Sequence, residues 1–296
     1  MYARKFGTGF FAALAFAAAS AHAQEAAQDR PQDDSIVVTG QQLAPKIARS
    51  YVGKISSSVG GQLIQFHEPV CPLVMGYGQQ YNAIVERRIR HVAAEANVPL
   101  AGEQCQANLI LIIASDADAL VKALRKDAPR LFDGVDPDAL RRAFKEGPVH
   151  VWNATQLRSR DGKTVTHVPG KEGTKYSSVL EVQSASVIGA ATQQAIVGAV
   201  VVIDGDATMG KTLNQIADYA AMRALAGARP PKSDVEVDTI MTLFDPNATA
   251  PAQATILDRS YLAGLYRSRS TDRAATAMGQ ISNRIVSDAS KPKTEN

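Results

Sequence analysis

The 296-residue chain predicts an α+β fold: a mixed sheet packed by helices, with a helical C-terminal part from about residue 232. Three features carry this expectation. Two continuous apolar runs, Asn108–Ala114 and Val197–Ile203, have the pattern of strands buried on both faces. Two alternating stretches, Val149–Gln156 and Val179–Ile188, have the pattern of half-buried strands. Tyr81, Ile84, Val85, Ile89, Val92 and Ala96 recur at helical spacing.

In chain order, residues 1–23 carry Arg4 and Lys5, the apolar run Phe10–Ala19 and Ala21-His22-Ala23, the pattern of a cleavable signal peptide. Residues 24–50 are rich in Gln, Ala and Asp and predict a flexible leader. A single domain over 51–288 begins near Tyr51, and 289–296 form a tail. Gln62–Phe66 predicts a short strand, Gln79–Ala96 a helix that Asn97 and Pro99 end, and Asn108–Ala114 a second strand. A strand–helix–strand order makes the two strands parallel. Asp116–Arg125 and Asp136–Phe144 predict surface helices, the second with Asp136 as cap and Pro137 in its first turn. Asp161-Gly162 marks a hairpin turn, and 165–176 is expected to be loop. Val197–Ile203 leads into a helix that Gly227, Pro230 and Pro231 stop. Ser233 and Glu236 form a capping-box pattern ahead of Ile240–Phe244, and two further helices follow, from Ile256 and from Thr271.

Without Arg4 and Lys5 the chain has 30 basic against 29 acidic residues, and no basic block. This balance argues against nucleic acid as a partner. No stretch after the signal is long and apolar enough to span a membrane. The expected location is periplasmic or secreted. There, the only two cysteines, Cys71 and Cys105, predict one disulfide.

Gly205 to Thr212 reads GDATMGKT and matches the phosphate-binding pattern G-x-x-x-x-G-K-[ST] between a strand and a helix. No later stretch supplies the second acidic strand that such a site uses to hold Mg²⁺, so nucleotide binding is a secondary reading and no cofactor is expected. On the helix, Lys211, Gln215, Asp218 and Met222 share one face. Leu213, Ile216, Ala217, Ala220 and Ala224 form the opposite, apolar one. The polar face is expected to point outward and to be the binding surface.

Asp34–Gly40, DSIVVTG, resembles the energy-coupling box of TonB-dependent outer-membrane receptors, which implies a strand-adding contact to a TonB-type partner. The order of elements over Gln62–Tyr266, together with Leu257–Tyr266, resembles zincin metalloproteases and a family of secreted bacterial zinc-dependent proteases. That resemblance implies two histidines at i and i+4 around a glutamate on the helix. Asp218, Tyr219 and Met222 stand there instead, and no helix holds such a histidine pair. Only scattered histidines, His67, His150 and His167, could rebuild a metal site, as in a divergent metal-dependent hydrolase. The combination of Gly210-Lys211-Thr212-Leu213 with Ala217-Asp218-Tyr219-Ala220 and Met222-Arg223 resembles an uncharacterised family of exported Gram-negative proteins. The favoured expectation is a non-catalytic protein that binds an envelope protein or a small ligand.

Overall fold

The computed structural model describes residues 43–145, 147–169, 176–182, 190–232 and 236–291. The expected signal peptide and the Asp34–Gly40 segment lie outside them. Helix α1 (Pro45–Ile55) comes first, and it corrects the expected start of folded structure. Ala48, Tyr51, Val52 and Ile55 follow the i, i+3, i+4, i+7 spacing and are all buried. After it come β1 (Ser58–Val59), β2 (Gln62–Leu63), β3 (Gln65–Phe66), β4 (Pro72–Met75), α2 (Gln79–Glu95) and β5 (Leu109–Ala114). Next are α3 (Ala117–Asp127), a 3₁₀ turn (Pro129–Phe132), α4 (Pro137–Ala143), β6 (Val149–Ser159), β7 (Thr166–Pro169) and β8 (Tyr176–Val179). The chain continues with β9 (Thr192–Asp204), α5 (Leu213–Ala226), α6 (Ile256–Arg267) and α7 (Ala274–Ala289).

The fold is α+β, a mixed sheet organised around β9. Along Ala199–Asp204, β9 runs parallel to β5, and at Ala195–Ile196 it runs parallel to β3. Its other edge pairs antiparallel with β6 over the whole length of β6, interrupted by one bulge between Ala154 and Thr155. Strand β4 lies parallel outside β5. The expected parallel pair was Gln62–Phe66 with Asn108–Ala114. Instead β4 pairs with β5 and β3 with β9. Pro72 opens β4, where a residue with no N–H to donate is tolerated. Within 165–176, expected as loop, β7 forms and pairs antiparallel with β8. Strand β8 ends at Val179, short of the expected strand to Ile188; residues 183–189 lie outside the described ones.

Both faces of the sheet are covered. Leu109, Leu111, Ala199, Val201 and Ile203 point into the larger core with α1, α2, α5, α6 and α7. Val200, Val202 and Trp152 point the other way, against Val121 of α3 and Ala143 of α4. This double burial explains why β5 and β9 read as continuous apolar runs. Cys71 and Cys105 form the expected disulfide, Cα atoms 6.0 Å apart, closing the loops that enter β4 and β5. A loop of this size stabilises the fold by about 2–4 kcal/mol. Among the described residues, no helix is long and apolar enough to cross a membrane.

Helix α4 packs at the outer edge of β6 and contributes to the smaller core. Gly134 makes the approach possible: its φ is +74°, and a Cβ there would sit 2.7 Å from the Thr155 carbonyl oxygen. The Thr155 amide donates to the Gly134 carbonyl at 2.9 Å. With the turn fixed against β6, α4 buries Ala143 on one side and presents Asp136, Ala139 and Arg142 on the other.

Candidate functional site

The polar face expected on α5 is closed. Asp218 has no exposed surface, and neither does Met222. Asp218 accepts from Arg88 Nε of α2 at 2.6 Å, from Arg88 Nη2 at 2.9 Å and from the Ala254 amide at 2.7 Å. Gln215 completes a capping box with Thr212 and donates Nε2 to the Pro251 carbonyl at 2.9 Å. The Lys211 ammonium sits 5.3 Å from the centre of the Phe244 ring. The chain between Ile240 and Thr255 therefore covers this face, and Met222 joins the core. Gln215, Asp218 and Met222 share one side of α5 while Lys211 stands before its cap, and all four are used for packing rather than presented to solvent.

The phosphate-loop pattern is also spent internally. The amide of Gly205 donates to Ala114 O at 2.7 Å, and that of Asp206 to Asp204 Oδ1 at 3.0 Å. Those of Thr208, Met209 and Lys211 close local turns onto Gly205, Asp206 and Thr208. The Thr212 amide donates to Gln215 Oε1 at 2.9 Å. A phosphate cradle needs such N–H groups to point together into open space. Six of the eight here already have a protein acceptor.

The histidines do not assemble. His150 is buried in β6, with Nδ1 2.8 Å from the Ala143 carbonyl. Its Nε2 is 3.1 Å from Asp118 Oδ1 but makes no directed hydrogen bond. His67 stands beyond β3, where burial and then the nearby Arg158 lower its pKa. The side chain of His167 lies outside the described residues. Among the described residues, no group of three or more His, Cys, Asp or Glu side chains is placed to hold a metal ion.

At the opposite end of α5 a cleft of about 440 Å³ opens. It lies between the end of α1, the inner side of α4, β6 and the chain after Gly227. Its apolar wall includes Val59, Ile64, Val149 and Val151. Its charged lining is Lys54, Arg142, Arg223, Arg229 and Lys232 against one carboxylate, Asp136. Asp136 Oδ1 caps α4, accepting from the amides of Asp138 and Ala139 at 3.0 and 3.1 Å.

These cations are not needed to finish α5. Cationic residues often satisfy the last carbonyls of a helix. In α5 that work falls to neutral donors. Asn153 Nδ2 donates to Ala224 O at 2.8 Å, Tyr266 Oη donates to Leu225 O at 2.8 Å, and the Gly227 amide donates to Met222 O. Gly227 adopts the left-handed conformation that this cap requires, at φ +57°. Burial raises the pKa of Tyr266 and keeps its hydroxyl protonated as a donor.

Arg223 donates Nη1 to Tyr219 Oη, and its Nε is shielded from solvent with no acceptor among the described residues. Arg229 donates Nη2 to Ser56 O at 2.8 Å. The Arg142 guanidinium makes no hydrogen bond or ion pair among the described residues. Much of its surface is open, yet burial of the head group and then the neighbouring Arg229 lower its pKa. Arg141 and Arg223 act in the same direction, and Asp136 opposes them. The arginines thus repel one another across the cleft, the condition that a bound anion relieves.

This cluster leaves no motif in the sequence. Its residues come from α1, α4, α5 and the chain after α5, and no linear pattern joins them. A partial signal was present in Arg229-Pro230-Pro231-Lys232, where two cations flank the helix stop. Comparison of the chain with family models, with curated proteins and with solved structures gives no match.

Proposed function

We propose that this is an exported, non-catalytic binding protein whose ligand is a small anionic molecule held in the cleft at the end of α5. The observation that carries the reading is five cationic side chains lining one cavity with a single carboxylate that already caps α4. A volume near 440 Å³ suits a small molecule. Among the described residues, the lining contains no histidine, no thiol and no carboxylate pair that could act as general acid and base. Export is supported by the N-terminal sequence pattern and by the disulfide.

Thermal unfolding of the purified protein at constant ionic strength tests the reading. Millimolar phosphate, citrate or sulfate is expected to raise Tm relative to chloride, because a ligand that binds only the folded state stabilises it. Arg142→Gln and Arg229→Gln are expected to abolish that increase. Equal Tm in all anions, with no effect of either substitution, would sink the proposal.

A further inference from the structure

The ligand class can be narrowed, an inference that rests on the anion-binding reading above. From the lining of the cleft we infer that it takes a phosphate ester bearing a compact apolar group. Charge is the first argument. Two helices, α1 and α5, end at the cleft, and each C-terminus counts as roughly half a negative charge. Leaving Lys54 out, and even with these and Asp136, the other four lining cations exceed the negative charge of the described lining by roughly two. A monocarboxylate leaves about half of that excess in place, whereas a phosphate monoester brings close to two negative charges.

Geometry is the second argument. Arg142, Arg223 and Arg229 line the same cavity, and after burial itself the charges of Arg229 and, more weakly, Arg223 lower the pKa of Arg142. Guanidinium groups recognise phosphate through paired N–H donors, and a phosphate monoester offers three terminal oxygens to share among several of them. Most of the rest of the wall is apolar. Val59, Ile64, Val149 and Val151 line the same cavity and cannot bind a charge. They suit an apolar substituent carried next to the phosphate.

Isothermal titration of the purified protein tests this with inorganic phosphate, hexyl phosphate and hexanoate. Hexyl phosphate is expected to bind at least about tenfold more tightly than inorganic phosphate, through burial of its alkyl chain. Arg142→Gln, at an exposed position, is expected to weaken both phosphates. Val59→Thr and Val151→Thr are expected to remove the advantage of hexyl phosphate and leave inorganic phosphate unchanged. Two independent valine sites keep the test decisive if one variant folds poorly. Sedimentation with phosphatidylcholine vesicles containing about one-fifth phosphatidic acid distinguishes a lipid from a soluble ester. Arg142-dependent co-sedimentation identifies the lipid; binding of hexyl phosphate without it identifies a soluble ligand, and both support the class. Equal affinity for hexanoate and hexyl phosphate would overturn the phosphate assignment while leaving anion binding intact. Equal affinity for inorganic and hexyl phosphate would overturn the apolar half. No binding of any of the three removes this inference and the anion reading together.

Discussion

At its N-terminal end, α5 follows a loop with a phosphate-binding sequence whose amides are already hydrogen-bonded within the protein. At its C-terminal end there is no sequence pattern, but three arginines face a cleft and none of them has a carboxylate partner among the described residues. The contrast separates residue type from availability. Lys211 and Thr212 have the chemistry for phosphate but are used by Phe244 and by the helix cap. Arg142, Arg223 and Arg229 remain uncompensated because neutral groups complete the nearby helix end.

The contrast can be broken experimentally, and the largest effect is expected inside the closed face. Arg88→Ala leaves Asp218 buried without its cation and should cost about 3–5 kcal/mol in urea unfolding. Anion binding at the cleft should survive wherever the protein stays folded. A loss well under 1 kcal/mol would mean that the face is open in solution, as the sequence alone suggested.

Gly227→Ala should have an intermediate effect. It forces a side chain into the left-handed region and places a Cβ 2.8 Å from Ile64 Cδ1. The end of Ile64 can shift, so the expected cost is about 1–3 kcal/mol, measured by the same unfolding. Ile64 lines the cleft, so anion-induced stabilisation should fall as well.

The smallest effects are expected in the phosphate-loop pattern itself. Thr212→Ala removes the cap of α5 and should cost about 1 kcal/mol. Lys211→Ala removes a ring contact and should cost about 0.5–1 kcal/mol. Neither should change the anion-dependent rise in Tm. If Lys211→Ala abolishes that rise, the binding site lies at the N-terminal end and the contrast is reversed.

Much of the fold was legible in the sequence, because burial on both faces leaves a one-dimensional trace. Strands β5 and β9, helices α2 and α6 and the disulfide follow from apolar runs, helical spacing and a lone cysteine pair. Helix α1 was legible too, since Ala48, Tyr51, Val52 and Ile55 carry the same spacing as α2, but its first half falls in the polar stretch to residue 50 that has the composition of a leader. Strand β4 left little trace: four residues opened by a proline lack the length for a pattern. The polar face of α5 could not be read correctly from its own residues. Asp218 appears solvent-facing until Arg88, 130 residues earlier, and Ala254, 36 residues later, close over it. The cleft was illegible for the same reason. Lys54, Arg142 and Arg229 are far apart in the chain, and only the packing of α1, α4 and α5 brings them together.

Strand β9 has a consequence for how the molecule is made. Leu109 pairs with Ala199 and Phe66 with Ile196, so the early strands wait for a partner from the last third of the chain. Closing such long intervening segments has an entropic cost before any contact is gained, which slows folding. A growing polypeptide that has not yet reached Thr192 has no strand to place at the centre of its sheet. The sheet is therefore completed only late in synthesis, which leaves most of the chain made before its centre can form and suits the proposed export of an unfolded polypeptide through a narrow channel.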